Sequence, residues 1–201
     1  GRCLAERLGK SIEEMSYEEL VSDQTRKKLG DITFVTATDG NHGRGVAWTA
    51  KKLGQKAVVY MPKGSVQERL DRIREEGAQA SITELNYDEA VRLASRQAEQ
   101  KGWVMVQDTA WDGYEDIPRW IMQGYGTMGY EAYTQLPEKP THIFLQAGVG
   151  SMAGAVAGFF SSVYKEERPV ITVVEPAKAD CIFRTAKAAD GALHFVTGTM
   201  D

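Results

Sequence analysis

Metal-binding and cross-linking residues are scarce in this chain: 201 residues carry two cysteines and three histidines. Cys3 and Cys181 stand near opposite ends, and His42, His142 and His194 are scattered. Neither a disulfide nor a Cys-x-x-Cys or His-x-x-x-His metal site is therefore expected. Cysteine use this sparse fits a reducing cytoplasm. No apolar run reaches the ~18 residues that a membrane span needs. A formal net charge of -4 leaves no basic stripe, so nucleic-acid binding has no electrostatic support. Nor does the chain open like a signal peptide: Gly1-Arg2-Cys3-Leu4-Ala5-Glu6-Arg7-Leu8 carries an apolar stripe at Cys3, Leu4 and Leu8 and reads as the middle of a helix. What is present is a globular composition with 42% hydrophobic side chains, enough for a sizeable core in one domain or two small ones.

The chain is organised around residues 31–54. Ile32-Thr33-Phe34-Val35-Thr36-Ala37 reads as a strand and Val46 to Leu53 as a helix that Gly54 closes. The turn between them, Thr38-Asp39-Gly40-Asn41-His42-Gly43-Arg44-Gly45, has three glycines in six residues and ends in free helix N–H groups, which suits an anion. Its Gly-x-x-Gly-x-Gly spacing matches neither the dinucleotide fingerprint nor a Walker loop. The plain alternative is a tight Asp-Gly turn whose other glycines serve strand–helix packing.

Around this unit the pattern alternates. A helix opens at Ser16, with Glu19 completing a capping box, and runs to near Gly30. Ala57–Met61 is a buried strand, and Ser65–Glu68 a capping box opening a charged, solvated helix to about Glu76. Ala80–Leu85 is a strand, Asn86 caps a helix through Gln100 that Gly102 ends, and Trp103–Gln107 is the next strand. A long helix from about Pro118 to Tyr133 carries Gly124, Gly126 and Gly129, which suggests a close neighbour. Leu136-Pro137-Glu138-Lys139-Pro140 is the best domain boundary, dividing 1–136 from 137–201. Beyond it the strand–glycine turn–helix device returns. His142–Gln146 is the strand, Ala147-Gly148-Val149-Gly150-Ser151-Met152-Ala153-Gly154 the turn, and Ala155–Tyr164 an apolar helix that must be buried. A last buried strand, Pro169–Pro176, carries Glu175 at its carboxyl end. The expected class is α/β, with two open, mainly parallel α/β domains, the second incomplete. Two glycine turns at strand ends suit a ligand with two anionic groups, or a cofactor and an acid substrate. Ser151 adds a hydroxyl suited to phosphate.

The motifs themselves resemble a known family. Thr36–Gly45 resembles the Ser/Thr-Gly-Asn-His/Thr-Gly loop of the fold-type II (tryptophan synthase β-like) pyridoxal-phosphate enzymes, and Gly148–Met152 their phosphate loop. Within that group Thr38–Trp48, Gln107-Asp108-Thr109-Ala110-Trp111 and Ile117–Tyr125 are similar to the diaminopropionate ammonia-lyases, across nearly the whole chain. The resemblance implies pyridoxal 5'-phosphate as cofactor. Residues 1–136 would be the small domain with the asparagine loop and 137–201 the start of the large domain. Asn41 would hydrogen-bond the cofactor's phenolic oxygen, and Gly148, Val149, Gly150, Ser151 and Met152 would cradle its phosphate. The substrate carboxylate would be received by Asp39, Gly40, Asn41 and His42. Asp39 and Asp108 would handle the α-proton, one for each enantiomer, with burial beside Trp111 raising a carboxylate pKa toward the task. The implied reaction is α,β-elimination of ammonia from D- or L-2,3-diaminopropionate, giving pyruvate and ammonia.

The chain departs from the family in one respect. The lysine that bonds the cofactor lies, in that family, just before the helix with which this chain opens. Here Lys10, Lys27, Lys28, Lys51, Lys52 and Lys56 read as solvated. The partner of the pyridine nitrogen would likewise fall beyond Asp201, so the chain reads as a central fragment, inactive alone, of a cytoplasmic and commonly homodimeric enzyme of amino-acid catabolism. Its partner is then a small amino-acid substrate, with no nucleic acid and no membrane. The alternatives are a threonine/serine dehydratase-like enzyme and a non-catalytic module that binds an amino acid or a phosphorylated metabolite.

Overall fold

The computed structural model describes residues 1–194 and 196. They form two compact units, Gly1–Gln107 and Asp108–Asp201. The last stretch of the second predicted domain, 195 and 197–201, lies outside the described residues.

The first unit is built on β1 (Thr33–Ala37), whose Phe34, Val35, Thr36 and Ala37 are all buried. A run buried on both faces is what a parallel sheet covered by helices requires. β1 pairs in parallel with β2 (Lys56–Met61), from Thr33↔Lys56 to Ala37↔Tyr60, and on its other side with β4 (Val104–Met105). β3 (Gln79–Ile82) completes the order β3-β2-β1-β4. The crossovers are α4 (Asn41–Lys52), α5 (Gln67–Glu75) and α6 (Tyr87–Lys101). Val46, Ala47 and Ala50 of α4 share a core with Phe34, Val59 and Met61, and Leu70 and Ile73 of α5 join it. α4 lies close to the sheet because Gly43 has no side chain: a Cβ there would collide with Thr38 Cγ2 and stand 2.9 Å from Val59 Cγ1. For Gly43 the packing reading of the glycine turn is therefore correct.

The caps show where local reading works. Asn86 caps α6 as expected and forms a reciprocal box with Glu89, at 2.9 and 3.2 Å, and Gly102 ends the helix at φ 65°. The helix expected from Ser16 to Gly30 is two, α2 (Tyr17–Leu20) and α3 (Asp23–Leu29), because Ser22 caps a new start through Thr25 N–H. Ser16 accepts from Glu19 N–H, but the Glu19 carboxylate turns to Lys10 at 2.6 Å. The Ser65 box does not form either. α5 begins after Val66, Glu68 pairs with Arg72, and the Ser65 hydroxyl is buried with no partner among the described residues. α1 (Arg2–Arg7) packs Leu4 and Ala5 into the same core.

The second unit contains α7 (Asp116–Gln135), β5 (His142–Gln146), α8 (Ser151–Tyr164), β6 (Val170–Val174) and α9 (Cys181–Ala188). β5 and β6 pair in parallel, Phe144 opposite Thr172. α7 packs on α8 so closely that a Cβ at Gly129 would stand 2.8 Å from Phe159 Cδ1. That contact places α7 in the second unit, so the compact units divide at 107/108 and the Leu136–Pro140 stretch links two elements of one unit. Two burial expectations are corrected. α8 buries one face only, through Ala153, Val156 and Phe160, and β6 leaves Val170 and Val174 about half exposed. The cause is a two-stranded sheet with helical cover on its Ile143 and Leu145 face, while Phe144 on the other face is 68% exposed. No described helix is long and apolar enough to cross a membrane.

Candidate active site

The first turn grows from the end of β1. Thr38 N–H donates to Tyr60 O at 3.0 Å, and Gly40 N–H turns back onto Thr38 Oγ1 at 3.1 Å. α4 then starts at Asn41 with no side-chain cap, its first backbone bond running from Arg44 N–H to Gly40 O at 3.0 Å. The amides of Asn41, His42 and Gly43 therefore remain as donors at the positive end of a helix, the arrangement that binds anions. Gly40, Asn41 and Arg44 line a cavity of about 210 Å³ with Glu68, Arg69 and Arg72. The Asp39 carbonyl accepts from Arg69 Nη1 at 3.2 Å, and its carboxylate Oδ2 lies 3.5 Å from the same nitrogen. The His42 ring is engaged elsewhere, with Nε2 at 2.8 Å from Val106 O, so it staples α4 to the end of β4.

Sequence reasoning misses Gln107, which is fully buried. Its Oε1 accepts from Thr36 Oγ1 at 2.9 Å and Ala37 N–H at 3.2 Å, and its Nε2 donates to Tyr87 Oη at 3.0 Å. One amide thus ties β1 to α6. The signals in the sequence are an amide side chain closing an apolar strand and its place at the head of the Gln107–Trp111 motif, and neither points to these partners.

In the second unit, Ala147 N–H bonds Val174 O at 3.0 Å, and the chain turns through Gly150 at φ 93°. That left-handed conformation strains any side chain, and a Cβ would also meet Ile182 Cδ1 at 3.2 Å. α8 again lacks a side-chain cap, so its first amides are available, and Gly148 has open space around it. The Ser151 hydroxyl donates to the carbonyl of Asp108 at 2.6 Å. Within this unit the structure therefore ties the phosphate-type turn to the main chain of Asp108. Beside them the Thr109 hydroxyl is buried with no partner among the described residues. Burial, and secondarily the charge of Asp108, pushes the Tyr125 phenol above its ordinary pKa. Trp111 stacks on Tyr114 with centroids 4.2 Å apart and is 39% exposed. Glu175 accepts from Ile182 and Phe183 N–H at 2.9 and 2.8 Å, which satisfies amides in the first turn of α9. Among the described residues no cluster of His, Cys, Asp or Glu could hold a metal.

Two parallel α/β units, each with a glycine turn opening an uncapped helix, offer two helix starts suited to anions, the kind of site a phosphorylated cofactor uses. The chain matches the family described as pyridoxal-phosphate dependent enzymes over residues 7–199, and it belongs to that family. It is 56% identical over 204 residues to the diaminopropionate ammonia-lyase of Salmonella typhimurium, covering 100% of this chain and 50% of that protein. The holo diaminopropionate ammonia-lyase of Escherichia coli superposes with a TM-score of 0.89 at 50% identity, over 98% of this chain and 50% of that one. The same enzyme in complex with D-serine gives 0.88 at 49% identity, over 98% and 50%. The chain thus spans about half the length of the curated relatives it matches.

Proposed function

We propose that the full-length protein catalyses pyridoxal-phosphate-dependent elimination of ammonia from 2,3-diaminopropionate, giving pyruvate and ammonia. The observation that carries this is the 56% identity to a diaminopropionate ammonia-lyase over the whole chain, both glycine turns included. The residues fit the cofactor. An uncapped α8 start with Gly150 in the left-handed region and open space at Gly148 suits a phosphate. Gly148, Val149, Gly150, Ser151 and Met152 would hold that phosphate through backbone N–H groups, and Asn41 the phenolic oxygen. Since the Ser151 hydroxyl already donates to Asp108 O, its amide is the better phosphate donor.

Bound pyridoxal phosphate supplies an electron sink for the charge left on the α-carbon. The chain's own residues bind and move protons. Asp39, Gly40, Asn41 and His42 receive the substrate carboxylate on the amides of the α4 start, His42 by its N–H, since its ring is held by Val106. Asp39 and Asp108 take the α-proton, each from one enantiomer. The lysine that bonds the cofactor and the partner of its pyridine nitrogen are assigned to parts of the protein outside these 201 residues. The small and large domains follow the compact units, 1–107 and 108 onward, and the enzyme works as a cytoplasmic homodimer on small amino acids. D-serine in the complex of the E. coli relative supports access for D-amino acids.

The test is turnover of 2,3-diaminopropionate and of threonine by the purified full-length protein. Diaminopropionate is expected to be the better substrate and to release two ammonia for each pyruvate. Preference for threonine would establish a dehydratase instead, and binding without turnover of either would establish a sensing module.

A further inference from the structure

α5 presents most of its charges to solvent, but Arg69 departs from that pattern. Its Nη1 donates to the Asp39 carbonyl at 3.2 Å and lies 3.5 Å from Asp39 Oδ2, so one guanidinium holds main chain and side chain of the same residue. Its stem runs along Gly40: a Cβ at that position would stand 3.0 Å from Arg69 Cδ and 3.7 Å from its Cγ and Nε. The other arginines of this cavity are turned to acids, Arg72 to Glu68 at 2.5 Å and Arg44 to Glu76 at 3.8 Å. Arg69 alone among these three is directed onto the turn.

We propose that Arg69 is a positioning residue for Asp39 in the elimination reaction. The inference rests on the reading of Asp39 as one of the two proton-transferring carboxylates. An aspartate on a turn can swing about two side-chain torsions, and a base works only when its oxygen is held within hydrogen-bond reach of the proton it takes. Arg69 restricts that swing from a regular helix. By holding the carbonyl as well, it also fixes the plane of the Asp39–Gly40 peptide, which leads into the amides at the α4 start. Gly40 is explained by the same contact. A side chain at this position would press on the arginine stem at 3.0 Å, so the glycine leaves room for it. Lysine offers charge without the planar fork, so it replaces this function only in part.

The test measures kcat and KM on D- and L-2,3-diaminopropionate separately, in the full-length protein, for the wild type, D39N, R69A, R69K and R69A/D39N. D39N identifies the enantiomer that depends on Asp39. R69A is expected to lower kcat on that enantiomer roughly ten- to hundredfold, the scale set by misplacing a reacting group, and to leave the other enantiomer nearly unchanged. R69K should recover part of the loss, and R69A should add nothing in the D39N background. Arg69 and Asp39 are both more than half exposed, so the R69A melting temperature should stay near that of the wild type. Equal loss on both enantiomers, loss on neither, or full additivity with D39N would overturn the positioning role and leave Asp39 in place. If D39N itself acts alike on both enantiomers, the Asp39 reading fails and the role of Arg69 falls with it.

Discussion

Gln107 shows how much a single side chain can organise when its hydrogen-bonding capacity is met inside the protein. Its amide joins Thr36, Ala37 and Tyr87, groups that reach it from 71, 70 and 20 residues away in sequence. Replacing it by leucine keeps the volume but strands these partners. A buried donor or acceptor left unpaired costs about 1–3 kcal/mol, so Gln107→Leu should lower the unfolding free energy by at least that amount, as read by urea denaturation. An unchanged midpoint would show that the network contributes little. The same residue explains a limit of sequence reading. Asn86 and Gly102 are legible because caps act over three or four residues, whereas Gln107 and Arg69 act on groups that only the fold brings near. The ring of His42 is held by a distant group in the same way. Its motif is local, but its ring partner, Val106, lies 64 residues on.

The two strand–turn–helix devices are alike as elements, yet their glycines do different work. Gly43 lets α4 settle on β2, Gly40 admits the Arg69 stem, and Gly150 supplies a left-handed turn before α8. A motif written as glycine spacing hides these separate causes, so the devices are recognisable in the sequence while the reasons for each glycine are not. The charged face of α5 reads as solvated because periodicity marks which residues face outward and says nothing about which of them turns to a neighbouring loop. The α8 device carries the clearest prediction at this scale. Gly150→Val combines the strain of a β-branched residue at φ 93° with a clash on Ile182. It should disturb several charge-assisted bonds from backbone N–H groups to the cofactor phosphate, each worth about 1.5–3 kcal/mol. Cofactor affinity of the full-length protein, measured by fluorescence titration, should fall by more than tenfold, since ~1.4 kcal/mol corresponds to one decade. Unchanged affinity would place the phosphate elsewhere.

At the scale of the molecule, the α/β class and the parallel strands are legible as alternating apolar runs and helical patterns, and both units have them. The division between units is harder to read. Leu136-Pro137-Glu138-Lys139-Pro140 has the composition of a linker, but the contact of Gly129 with Phe159 binds α7 to α8 across it. A linker is recognised from local composition, whereas membership in a compact unit is decided by long-range packing. In the proposed mechanism Asp39, just beyond the end of β1, and Asp108, tied through its carbonyl to Ser151, serve one reaction on two enantiomers. The most direct measurement is elimination from D- and L-2,3-diaminopropionate, each assayed alone, by full-length Asp39→Asn and Asp108→Asn variants. Loss of a positioned general base costs about 10²–10⁴-fold in rate, so each variant should lose one enantiomer by that factor and retain most of its activity on the other. Small and equal effects of both substitutions on both enantiomers would contradict this mechanism and return the two aspartates to structural roles.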